Sequence, residues 1–357
     1  MEGSPADIII FAPLAPMLGV LLFWFIQLLF IQSQKYLLSQ IWHKHEPLCR
    51  FTNFLGILYQ TICQALGYTV TRSGVSHFII NVDYGTVSPK KEKEGLFEWV
   101  ANAFLFVGPF FIPASLLLIY LFFIMNGGFE VTTPSQLIEL RYTFGGQIAT
   151  FGTSLYVFSR SFFEFLFNID LLNPVHMGFI VLMIFFGMGI RPSYIGETKK
   201  HKIDMIYDLR NVWSLITQKP LYIIALFSIS YLLFYISVIL THNFYVALFS
   251  IFGWLSIVSI MSLVISQMIL LLIKTTDEIT GFWKILPYIT MIGSYILMRL
   301  VFFYIPTDFT NAVSLLVMIL STIIVAYFLL GRKTNKFKSK VDIKIFKKKK
   351  KGEADGS

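Results

Sequence analysis

Apolar runs longer than the ~18 residues needed to cross hydrocarbon recur along this chain, and they limit its folds more than anything else in the sequence. Inside a bilayer only helices or closed barrels satisfy their own backbone, so runs of this length read as helices. The runs predict spans near residues 8–31, 51–70, 96–125, 146–167, 175–190, 221–240, 244–273, 282–304 and 309–330. The expected fold is an all-α polytopic membrane protein with about nine transmembrane helices. Charged residues make up only 14% of the chain, roughly half the share usual in soluble proteins.

The net charge of +9 is unevenly placed. From Arg332 onward there are eleven Lys or Arg against three acids, so the tail holds eight of the nine charges. A basic tail after a membrane span reads as a cytoplasmic anchor with affinity for anionic lipid. No aromatic or fold motif accompanies the lysines, so specific nucleic-acid binding is not expected. Loops at Thr241-His242-Asn243 and Pro306-Thr307-Asp308 lack Lys and Arg, whereas those near Lys274 and Arg332 carry them. Counting by that rule puts the C-terminus in the cytosol and the N-terminus outside. The basic loop 72–93 then falls on the outer side, against the rule, unless the second span is re-entrant. The acidic Met1–Asp7 does not look like a signal peptide, and Cys49 and Cys63 form no C-x-x-C pair.

Within this frame the chain divides into 1–50 (first span and linker), 51–190 (core), 191–219 (amphipathic linker), 220–331 (four-helix membrane domain) and 332–357 (tail). Residues 75–88 change period. Phe78, Ile80, Val82 and Tyr84 alternate with His77, Ile79, Asn81 and Asp83, which predicts a small β hairpin near residues 75–88. Gly108-Pro109 and Pro113 demand a bend in the third span. Pro134-Ser135 marks a helix start in a surface segment, and Asn168 to Pro174 should break the chain between two spans. In the linker, Ile203, Ile206, Tyr207, Val212, Trp213 and Ile216 can share one face of an interfacial helix.

Several polar residues stand in apolar surroundings. Gln64 and Tyr68 lie four apart, hence on one face of the second helix, with Ala65 between them. Arg160 and Glu164 have the spacing of an ion pair on the fourth. Asn168, Asp170 and Asn173 occupy the break before the fifth, His176 follows it, and Arg299 reads as a residue snorkelling to the interface. His43, His45, Glu46 and Cys49 have no recognised zinc spacing and read as an interfacial loop, and His77 reads as a strand-surface residue.

Taken in order, the Gln64–Tyr68 helix, the hairpin, the Gly108-Pro109 span and the stretch Phe167-Asn168-Ile169 to Pro174-Val175-His176-Met177-Gly178 resemble the core of the site-2 protease family of intramembrane zinc metalloproteases. The likeness covers roughly residues 54–190. It implies that Gln64 and Tyr68 stand at two His ligand positions, Ala65 at the general-base Glu, His176 at the third ligand, an Asp, and Ile112 at the Asn of the bent span. An amide and a neutral phenol are poor zinc ligands, and without the Glu no base activates water. The expectation is a pseudoenzyme with no metal or other cofactor and no catalytic residues. Gln64, Tyr68 and His176 would form a hydrogen-bonded cluster closing the old metal site. Such a protein would bind other membrane proteins or transmembrane segments as a scaffold, chaperone-like factor or complex subunit. The alternatives are a transporter or channel component, for which the broken helices speak, and, further off, an active protease with unusual ligands.

Overall fold

A computed structural model describes residues 5–125, 142–195, 201–279, 281–305 and 309–331. The Pro134-Ser135 segment and the lysine tail lie outside the described residues. Helices dominate: α1 (Leu14–Ile41), α2 (Glu46–Val70), α3 (Leu96–Phe106), α4 (Gly108–Ile124), α5 (Phe144–Phe167), α6 (Pro174–Gly189), α7 (Met205–Gln218), α8 (Pro220–Ile239), α9 (Phe244–Asp277), α10 (Leu286–Tyr304) and α11 (Thr310–Gly331). Two small antiparallel sheets complete the fold, β1 (Val75–Ile80) with β2 (Gly85–Pro89) and β3 (Tyr194–Ile195) with β4 (His201–Lys202).

Local chemistry sets many of these boundaries. Pro47, Pro109, Pro174 and Pro220 sit in the first turns of α2, α4, α6 and α8, where a missing N–H costs least. The Asn173 side chain accepts the Val175 N–H at 2.9 Å and starts α6, while Asp204 accepts the Tyr207 N–H at 2.8 Å and starts α7. Gly95, at φ 76°, holds a left-handed conformation immediately before α3.

Among the described residues, five helices are long and apolar enough to cross a membrane: α1, α8, α9, α10 with its preceding turn, and α11. The pair α3–α4, bent by 66° at Val107, makes a sixth if counted as one broken span. The expected spans on α2, α5 and α6 are not among these helices. α6 has 16 residues, a rise of about 24 Å against the ~30 Å of hydrocarbon. α2 buries Thr52, Asn53 and Thr61, and α5 buries Gln147, Thr150 and Ser154, side chains that belong against protein. The expected bend in the third span is present.

The structure departs from the sequence reading elsewhere too. α1 continues ten residues past the expected end of the first span, through a stretch expected to be a polar link. It continues because its polar side chains find partners: Gln34 donates to the Gly187 carbonyl at 2.9 Å and Lys35 to the Ile203 carbonyl at 2.7 Å. Glu46 and Cys49 open α2 instead of lying in a loop, with Cys49 buried. Val82 and Tyr84 fall in the turn of the first hairpin, whose last strand pair is Ile80↔Gly85. Ile203 precedes α7, fully buried, and is absent from its apolar face.

The chain forms two compact units, residues 1–163 with 171–268, and 164–170 with 269–357. The expected four-helix domain 220–331 is therefore divided. α8 and most of α9 belong to the first unit because their polar groups are used there. Tyr231 and Tyr235 donate to the carbonyls of Ile10 and Ile9, and Tyr245 to that of Pro13. Farther along α9, Ser259 accepts from the Gln27 amide at 2.6 Å and Gln267 donates to the Phe30 carbonyl at 2.7 Å. Leu28, Ile31, Phe110, Ile190 and Leu263 form a buried apolar cluster of this unit. Gln27, fully buried there, also donates to the Phe110 carbonyl at 3.0 Å, just past the α3–α4 bend.

Candidate functional site

α2 is the element the core gathers around: α3, α4, α6 and the first hairpin all pack on it. Glycines allow the close approaches. A Cβ on Gly67 would lie 3.1 Å from the Ala101 backbone of α3, and one on Gly85 would strike Ile57 and Thr61. Gln64 and Tyr68 share a face as expected, and the Gln64 amide nitrogen donates to the Tyr68 hydroxyl at 3.3 Å. Ala65 lies between them, half-buried.

Phe51 and Tyr59 are eight residues apart on α2, yet their rings meet the adjacent residues Phe185 and Phe186 of α6 at 5.9 and 5.3 Å. Along the same interface the Asn53 side chain accepts the Ser193 and Tyr194 N–H groups just past α6, and a Cβ on Gly189 would strike Leu55. α4 packs on both helices. A Cβ on Gly108 would lie 3.1 Å from Cys63 Cβ, which places the start of α4 next to Gln64. At the other end Tyr120 donates to the Val175 carbonyl at 3.3 Å and stacks on Phe179 with 5.9 Å between centroids. Of the expected cluster of Gln64, Tyr68 and His176, the structure shows the Gln64–Tyr68 contact. Among the described residues no three His, Cys, Asp or Glu side chains are grouped to hold a metal ion.

Tyr68 also lines an open cleft of about 780 Å³ between α2, the end of β2 and the start of α3. Glu92, Lys93, Glu98, Asn102 and Lys219 share it. Lys93 closes one side, donating to the Thr71 carbonyl at 2.7 Å, and the Trp99 indole ties α3 to α7 through the Leu215 carbonyl at 3.0 Å. Beside the cleft, β1 has no strand on its outer edge among the described residues. His77, Phe78 and Ile79 of β1 are exposed, as expected for His77. Alternation from the Asn81–Tyr84 hydrogen bond turns the N–H groups of Phe78 and Ile80 to that free edge.

Of the remaining polar positions, Glu164, Asn168, Asp170 and Arg299 fall in the second unit, and Arg160 and Asn173 in the first. Asp170 accepts from Arg299 at 2.8 Å and from Tyr295 at 3.2 Å. Arg299 also donates to the Asn311 side chain at 2.5 Å, and Asn311 donates to the Asn168 carbonyl at 2.8 Å. Arg299 is thus a clamp holding residues 168–170 to α10 and α11, not a snorkelling residue. Asp170→Asn is expected to cost about 1–2 kcal/mol in detergent unfolding, because the pair is about a quarter exposed and partly screened. Arg160 and Glu164 stand one turn apart on α5, both exposed, and Asn173 serves as the cap described above.

Two features escaped the sequence reading. Arg191 donates twice to one oxygen of Asp208, at 2.8 and 2.6 Å, with both side chains buried. A stripe of buried serines, Ser256, Ser259, Ser262 and Ser266, lines α9 at steps of three and four. That spacing of small residues was the available signal for close helix packing. For the ion pair no local signal existed, since its partners lie 17 residues apart across a sheet.

No family model, curated protein or solved structure matches the chain.

Proposed function

We propose that this is a non-catalytic, multi-pass membrane protein, a degenerate relative of the site-2 proteases, that holds segments of other membrane proteins without cutting them. The observation that carries the reading is the exposed β1 edge beside the Tyr68 cleft. Two outward N–H groups and the side chains of Phe78 and Ile79 offer an extended segment both backbone pairing and apolar contact. The proposed relation draws on the order of the motifs and on the way α2 collects the hairpin, α3, α4 and α6. In this reading Gln64 and Tyr68 satisfy one another where a zinc enzyme would hold its metal. The nine-crossing topology with a cytosolic C-terminus belongs to the same proposal, with α2, α5 and α6 shielded from lipid by their neighbours.

The test uses the full chain in proteoliposomes with a fluorescent single-span peptide that carries an extended juxtamembrane segment. Energy transfer to the protein is expected, with the peptide recovered whole and less than about 0.1 zinc per chain in the purified protein. Phe78→Pro, which removes an outward N–H at an edge position that tolerates proline, should weaken association about tenfold more than Phe78→Ala does. Energy transfer no greater than to an unrelated helical membrane protein would refute the binding role. Peptide cleavage would return the chain to the enzymes.

A further inference from the structure

We propose that the pocket between the C-terminal part of α1 and the β3–β4 segment binds a phosphate group, carried by the headgroup of an anionic membrane lipid or by a small soluble ester. This inference is independent of the binding role argued above. The pocket holds about 470 Å³, a size suited to a headgroup or small ligand. Lys35, Lys202 and His43 line it, and Asp204 is the only carboxylate among its lining residues. That carboxylate is already engaged in capping α7 through the Tyr207 N–H. The nearby Asp208 is paired with Arg191. Lys35 gives one N–H to the Ile203 carbonyl, and an ammonium has three, so two are left for a ligand oxygen. Trp42 and Tyr194, edge to face at 6.4 Å, form an amphipathic wall of the kind found at membrane interfaces.

The position of the pocket favours the lipid source. α1 is almost continuously apolar from Leu14 to Ile31 and turns polar at Gln32, so the pocket opens where hydrocarbon gives way to headgroups. α7 begins directly beside it and exposes Ile206, Leu209 and Trp213 at steps of three and four, an apolar stripe suited to lying in the interface. Basic pockets at such a depth select anionic headgroups.

Native mass spectrometry of the full chain, delipidated in a neutral detergent, reads the site directly. With phosphatidylglycerol one lipid per chain is expected to remain bound, and with phosphatidylcholine none. Lys202→Gln, an exposed change that does not threaten folding, should weaken retention about tenfold, and Lys35→Met at least as much. Exchanging Lys347, Lys348, Lys349 and Lys350 together for glutamine should leave retention unchanged and so exclude the tail. Stabilisation of the wild type by millimolar inorganic phosphate, lost in Lys202→Gln and unaccompanied by lipid retention, would support the phosphate site and assign it to a soluble ester. Equal retention of both lipids, retention indifferent to Lys202→Gln, or no response to lipid and phosphate alike would overturn the proposal.

Discussion

Asp208→Ala is expected to destabilise the protein by about 3–5 kcal/mol, the range measured when one partner of a buried ion pair is removed. The reason is what remains. The Arg191 side chain is 1% exposed, its Nε and Nη2 both donate to Asp208, and its guanidinium lies over the Phe110 ring at 5.7 Å. Without the carboxylate a full positive charge stays in a site that water does not reach. The pair also fastens α7 to the end of α6, so its loss should free the linker as well. Two measurements check this: unfolding in mild detergent, and protease sensitivity of residues 192–205. The double variant Arg191→Met, Asp208→Leu should recover most of the loss, because an apolar pair of similar volume avoids the desolvation cost. A single variant as stable as wild type would mean that the charge finds water after all.

The second large effect belongs to Gly187. A Cβ here would run into the Ser262 carbonyl and the Ser266 hydroxyl of α9, and the nearest atom is backbone that cannot step aside. The contact is fixed from other directions. Ser266 donates to the Ile184 carbonyl at 3.0 Å, and the Gly187 carbonyl accepts from Gln34 of α1. Gly187→Ala is expected to cost about 1–3 kcal/mol, the usual penalty for overpacking, and Gly187→Val more. Gly145, whose Cβ would meet nothing within 4 Å, is the control, and Gly145→Ala should be neutral or slightly stabilising. The comparison requires only thermal unfolding of three variants under one condition. Equal midpoints for all three would show that α6 and α9 can part without loss.

Much of the secondary structure was legible because it is written in short-range pattern. Long apolar runs gave the spans from α8 onward, period-two alternation gave the hairpin, and Gly108-Pro109 gave the bend. What was not legible depends on partners distant in the chain. Gln32–Ile41 looks like a polar link until Gly187 and Ile203 supply acceptors for Gln34 and Lys35. The candidate site divides the same way. The Gln64–Tyr68 pair follows from helical spacing alone, whereas the way α2 packs on α6 does not. Rings at 51, 59, 185 and 186 and the glycine at 189 set it, and they are ordinary apolar residues in the sequence.

The mutual packing of α2, α4 and α6 has a mechanical corollary. Each of the three touches the other two, and stiff rods joined in that way brace one another. The frame around Cys63, Leu55 and Val175 should therefore move as one body, with slow amide exchange at all three positions. Compliance is left to what hangs from one side only, the hairpin on α2 and α3 beyond the bend. In the binding role proposed above, the β1 edge would sit on the pliant part of a braced scaffold, and a guest seated there would leave the frame behind it undisturbed.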